Sequence, residues 1–142
     1  MKTHVETVSV ETGGKQEIID LTRRVGEIAA ACGVRDGFLG IHCQHTTAGV
    51  FVGEYQAALN DDVLGFLGRA VEDGLPYKHN SPEFSDCDRR NAASHLRSLL
   101  LGHGVVLPLA QSTPVLGRFQ SVIFAELDGP RERTLRIQVL GE

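Results

Sequence analysis

The sequence contains no run of lysine and arginine, no apolar stretch approaching a membrane span, and no pair of cysteines at a metal-motif spacing. The first absence, together with a formal net charge of -4, removes the electrostatic footprint of a nucleic-acid-binding protein. Met1 to Val10 mixes Lys2, His4 and Glu6 with isolated valines, so it lacks the apolar centre of a secretory leader, and no later segment provides a membrane anchor. The three cysteines, Cys32, Cys43 and Cys87, are an odd number with no disulfide spacing, which points to reduced structural thiols and a cytoplasmic location. Internal repeats and low-complexity segments are also missing.

What is present suits one domain, 1–142. An apolar fraction of 42% and a charged fraction of 23% are ordinary for a globular chain, and 142 residues hold one core rather than two. His4 to Glu11 alternates around Val5, Val8 and Val10, and Thr12-Gly13-Gly14-Lys15 leads to Glu17–Leu21, which predicts an opening β-hairpin. Thr22 then caps a predicted helix carrying Val25, Ile28, Ala29 and Cys32 on one stripe, with Gly33 as its stop. Phe38–Cys43 reads as a buried strand that continues at Val50–Val52 beyond the polar patch His45-Thr46-Thr47.

Tyr55–Val71 has helical spacing despite Gly65 and Gly68, Asp73–Asp88 is a loop, and Asn91–Leu101 is a short helix ended by Gly102 and packed through Leu96, Leu99 and Leu100. Strands follow at Val105–Leu109, Phe119–Leu127 and Arg133–Leu140, the last two forming a predicted hairpin across Asp128-Gly129-Pro130. Strands joined by hairpins, with helices inserted singly, indicate an α+β fold rather than a doubly wound parallel sheet.

Six histidines stand at positions 4, 42, 45, 79, 95 and 103. His45 opens the polar break after a buried strand, His79 lies in the longest loop, and His95 lies early on a short helix. Three imidazoles converging from separate elements form a ligand set for a transition metal with open positions, although each residue taken singly is equally a solvated or hydrogen-bonded histidine. Arg131 and Arg133 follow the last turn, where they either grip an anion or pair across strands with Glu126. The glycines of Gly102-His103-Gly104 form no phosphate-loop fingerprint.

In order and spacing, His45-Thr46-Thr47-Ala48-Gly49, Glu54, Asp62, Tyr77-Lys78-His79, Asn91-Ala92-Ala93-Ser94-His95-Leu96, Gly117-Arg118-Phe119-Gln120 and Glu126 through Asp128-Gly129-Pro130-Arg131 to Arg133 resemble the YjbQ-like family along nearly the whole chain. The resemblance implies a compact sandwich of mainly antiparallel strands, a homotrimer, and a secondary thiamine-phosphate synthase activity on small anionic substrates. It makes His45, His79 and His95 the leading metal triad, with zinc favoured by three imidazoles and Mg²⁺ an option for diphosphate chemistry. In this reading Glu54 and Arg133 are catalytic, and Thr46, Thr47, Asn91, Ser98, Gln120, Glu126 and Arg131 bind substrate. Gly53, Arg89, Arg90 and Phe119 depart from the family pattern, which bears on substrate choice and metal preference. A metal-dependent hydrolase and a non-catalytic metal- or anion-binding trimer are the competing functions.

Overall fold

The computed structural model describes all residues 1–142 and contains eight strands and three α-helices. One antiparallel sheet has the order β1 (Lys2–Glu11), β8 (Glu132–Gly141), β3 (Gly37–Cys43), β5 (Gly104–Ala110), β6 (Thr113–Pro114). A smaller one places β7 (Ser121–Glu126) between β2 (Glu17–Asp20) and β4 (Ala48–Gly53). The α+β class and the antiparallel sandwich agree with the sequence.

Period-two alternation builds the larger sheet: along β8, Arg133, Leu135, Ile137 and Val139 turn inward, matched by Leu39, Ile41 and Cys43 on β3. Val122 and Phe124 of β7, Val50 of β4 and the stripe Val25, Ile28 and Ala29 of α1 (Thr22–Ala31) close the same core. The other face of the small sheet, through Ala125 with Ile18 and Phe51, meets Leu67 of α2 (Ala57–Ala70) and Leu101 of α3 (Ala92–Leu101). Residues of β7 are therefore buried on both faces, which explains its unbroken apolar run.

Both predicted hairpins are corrected. All ten residues of β1 pair with β8, while β2 pairs with β7 in the other sheet. β7 and β8 likewise belong to different sheets, and β4 lies across from β3 rather than continuing it. The connections β1–β2, β3–β4 and β7–β8 are all corners between the two sheets. Alternation specifies which face of a strand is buried but does not name its partner, so a turn-forming tripeptide serves a corner as well as a hairpin.

Thr22 is the first residue of α1 (Thr22–Ala31) rather than its cap. Asp20 Oδ1 accepts from the Thr22 N–H at 2.9 Å and from its hydroxyl at 2.6 Å, and Thr22 Oγ1 accepts from the Val122 N–H at 2.9 Å. The α3 packing face is also corrected: Leu96, Leu99 and Leu100 are 38%, 68% and 56% exposed, whereas Ala92, Ala93, Ser94, Arg97 and Ser98 are buried. Small residues let the helix approach the small sheet closely, with Ser98 Oγ donating to the Ala48 carbonyl at 2.6 Å and Ser94 Oγ to the Leu127 carbonyl at 2.7 Å.

Candidate functional site

The three inter-sheet corners bring their polar residues to one end of the sandwich. At its centre is a fully buried ion pair between Glu126 and Arg133, which are 0% and 1% exposed. Arg133 donates from Nε to Glu126 at 2.7 Å and from Nη2 both to Glu126 and to Thr47 Oγ1, the last at 2.9 Å. Glu126 also accepts from Thr12 Oγ1 and from the Asp128 N–H, each at 2.9 Å. Burial pushes the Glu126 carboxyl up, but these donors outweigh it and hold the group below its ordinary range. Of the two sequence readings of this arginine, ion pairing is the one realised. Arg133, Glu126 and Thr47 bond mainly to one another and are at most 3% exposed, so they act as scaffold for the corner, with only Arg133 Nη1 left without a partner in the chain.

Beside this pair, Asp128 is 1% exposed and collects Lys15 Nζ at 2.5 Å, Asn91 Nδ2 at 2.8 Å, Arg89 Nε at 3.0 Å and Arg131 Nη2 at 3.1 Å. Burial opposes its ionisation, but the hydrogen bonds from Lys15, Arg89 and Asn91 hold its carboxyl well below the carboxylate range. In the sequence Asp128 reads as a turn residue, so its role as organiser of the site was missed. The only local signal was its place in the Glu126-to-Arg133 motif, because Lys15 and Arg89 reach it from 113 and 39 residues away. Arg89, a departure from the family pattern, thus gains a partner.

Asn91 connects this carboxylate to the histidines. Its Nδ2 donates to Asp128, so its Oδ1 is the acceptor for His79 Nε2 at 3.0 Å, which places the His79 hydrogen on Nε2 and leaves Nδ1 with a free lone pair. The His79 and His95 rings meet edge to face, with centroids 4.8 Å apart. Burial, followed by the neighbouring His79, depresses the His95 pKa, and the Asp128 carboxylate and the Thr46 backbone only partly offset this. His95 is therefore neutral at physiological pH.

His45 is placed differently. Its Nε2 accepts the Thr134 N–H at 2.7 Å, so the neutral ring carries its hydrogen on Nδ1 and has no lone pair to spare. Burial, followed by the Arg133 charge, lowers its pKa. No three His, Cys, Asp or Glu side chains are grouped to hold a metal ion. The histidines as arranged do not fit a three-ligand site; His79 and His95 fit as two ligands supported by Asn91 and Asp128.

The remaining candidates are spread out. Glu54 is exposed beyond the end of β4 and forms no ion pair, and Gln120 is exposed with its Oε1 accepting the Gly117 N–H at 2.8 Å. Thr46 is exposed beside His45, and Arg131 is partly exposed against Asp128. Ser98 is buried against Ala48 and within 3.0 Å of His103 Nε2. Gly53 ends β4, and Phe119 is exposed under the Arg118 guanidinium. Cys32, Cys43 and Cys87 are free thiols, and no helix is long and apolar enough to cross a membrane.

Fold and site together define a small two-sheet α+β protein with a histidine pair at the corner between its sheets. Residues 6–142 match the family described as UPF0047 protein YjbQ-like, and the chain belongs to that family. A UPF0047 protein of Methanothermobacter thermautotrophicus is 34% identical over the whole chain and 95% of its own length. YugU of Bacillus subtilis, another UPF0047 protein, is 31% identical over 96% of this chain and 99% of its own. Among solved structures, a YbjQ-like protein of unknown function from Sulfolobus solfataricus superposes with a TM-score of 0.91 at 31% identity, covering 99% of each chain. A hypothetical protein from Aeropyrum pernix gives 0.88 at 33% identity, covering 98% of this chain and 99% of its own.

Proposed function

We propose that this chain is an enzyme acting on a small anionic substrate, with His79 and His95 as its reactive pair. The observation that supports the reading is the locked geometry of that pair: the His79 tautomer is dictated by Asn91 and Asp128, and a neutral His95 stands against its ring. A neutral imidazole of fixed orientation is a base or a metal ligand at physiological pH. Arg131, on the half-open side of Asp128, supplies a cation for an anionic group.

A divalent metal is part of this proposal. His79 Nδ1 and His95 would be its ligands, oriented through Asn91 and Asp128, while His45 stays bound to the Thr134 N–H. Such an ion supplies positive charge for an anionic leaving group or lowers the pKa of water, with zinc favoured by imidazole and Mg²⁺ by diphosphate. Thiamine-phosphate synthesis is the named transferase version, metal-dependent hydrolysis the second, and the assembly proposed for either is a homotrimer in the cytoplasm.

The test is metal analysis and product analysis on untagged protein, using a pyrimidine diphosphate with a thiazole phosphate. His95→Ala should lose stoichiometric metal and turnover yet stay folded, because its helix packs through Ala92, Ala93 and Ser98. His103→Ala should keep its metal. A metal-replete His95→Ala protein ends the ligand reading. Release of hydrolysed pyrimidine without coupling selects the hydrolase, and saturable binding without turnover leaves a non-catalytic module.

A further inference from the structure

A second polar cavity, of about 330 Å³, opens at the N-terminal end of α3, and neither His79 nor His95 lines it. Its wall carries three cations, Lys15, Arg90 and Arg97, against one carboxylate, Asp73. Lys15 is already engaged with Asp128, whereas Arg90 makes no ion pair or hydrogen bond.

Two further features aim donors into this space. The first amides of a helix have no partner within it. In α3 the Ala92 N–H goes to Asn80 Oδ1 at 3.0 Å and the His95 N–H to the Asn91 carbonyl at 3.2 Å, while the N–H groups of Ala93 and Ser94, both on the cavity wall, have no acceptor in the chain. The second feature is Arg97, whose side chain is only 6% exposed. Its Nε and Nη2 are spent on the Val71 carbonyl and Asp73, and Nη1 bonds to nothing in the protein. No buried side-chain nitrogen or oxygen in the chain lacks a partner, so Nη1 is reached by solvent, and the cavity is the opening that Arg97 lines. A nearly buried guanidinium with one donor nitrogen left over can donate to one further anionic oxygen in the cavity.

We propose that this cavity binds a phosphate group, either as free phosphate or as the monoester of a small polar molecule. Its donors come from three directions: Lys15 in the turn before β2, Arg90 two residues ahead of α3, and the first two turns of α3 itself. That arrangement suits a tetrahedral dianion better than a planar carboxylate, which one guanidinium satisfies in its own plane. Arg90 is the wall cation without a counter-charge, Lys15 and Arg97 being bonded to Asp128 and Asp73, and the scarcity of apolar wall fits a ligand with little hydrocarbon.

The test is calorimetric titration of the untagged full chain with sodium orthophosphate, and with sodium acetate at matched ionic strength. Arg97→Ala removes the clasp on Val71 and risks unfolding, so exposed positions carry the test. Phosphate should bind saturably, and more tightly than acetate by tenfold or more. Arg90→Asn, which suits the left-handed backbone at φ +51, should weaken phosphate binding at least tenfold. Asp73→Asn should tighten it severalfold by freeing Arg97, and His95→Ala should leave it unchanged. Absence of saturable binding, acetate binding as tightly as phosphate, or wild-type affinity in Arg90→Asn overturns the proposal. Loss of phosphate binding in His95→Ala also overturns it, by moving the anion to the histidine pair. Titration with a small sugar phosphate then separates the two sources, since a monoester bound more tightly than orthophosphate contributes contacts beyond the shared group.

Discussion

Two carboxylates separated by a single residue, Glu126 and Asp128, stand at one corner of the sandwich and serve different ends. Glu126 is spent entirely inside the protein, on Arg133, Thr12 and the Asp128 amide, while Asp128 gathers four side chains from three separate segments and so orients Asn91 and His79. Removing one member of a buried pair leaves the other charged and unsolvated, which costs more than the pair contributes. Glu126→Gln should therefore destabilise the protein by about 3–5 kcal/mol in urea unfolding. The double variant Glu126→Leu with Arg133→Met should recover most of that loss. A single variant within about 1 kcal/mol of wild type would show that the pair is not desolvated as its exposure indicates.

α3 packs closely against β4, and glycine permits it. A Cβ on Gly49 would lie 2.9 Å from the Gly102 carbonyl oxygen and 3.0 Å from Leu101 Cβ, neither of which retreats without parting strand from helix. Gly49→Ala should cost about 1–3 kcal/mol, as overpacking does. Gly68 in α2 has nothing within 4 Å of its would-be Cβ, so Gly68→Ala should instead stabilise the helix by about 0.5–1 kcal/mol. Thermal melts of the two variants check both signs, and equal effects would mean that the approach of α3 to β4 is not tight. Because α3 carries Ser94, His95 and Ser98 towards the site end, its seating on β4 bears on the histidine geometry too.

At the scale of the molecule, apolar side chains remain outside. Leu99 and Leu100 on α3 and Phe38 and Val106 on the larger sheet are each more than half exposed. Contiguous exposed apolar surface marks an interaction face, and the proposed homotrimer gives the α3 leucines a partner. Light scattering of the wild-type chain at micromolar concentration should give three times the mass of one chain, and Leu99→Glu should shift it towards the monomer. A wild-type monomer contradicts the assembly.

The α+β class and the span of each helix within a few residues were legible in the chain, and His79 and His95 stood in it as two of three candidate ligands, because helix periodicity, strand alternation and the family motifs are local. The pairing of β1 with β8, the three corners mistaken for hairpins or a continuation, and the outward leucines of α3 were not. Partner choice in a sheet depends on which surfaces close the core together, and a small-residue face seats a helix as firmly as a leucine stripe when the backbones can approach. The same reason separates the histidines. Sequence supplied three imidazoles, but only the folded corner engaged His45 with a backbone amide and set His79 against His95, through an asparagine whose orientation Asp128 dictates. Local chemistry chose the residue types; convergence of distant segments, which no local pattern encodes, decided which of their atoms remain free to react.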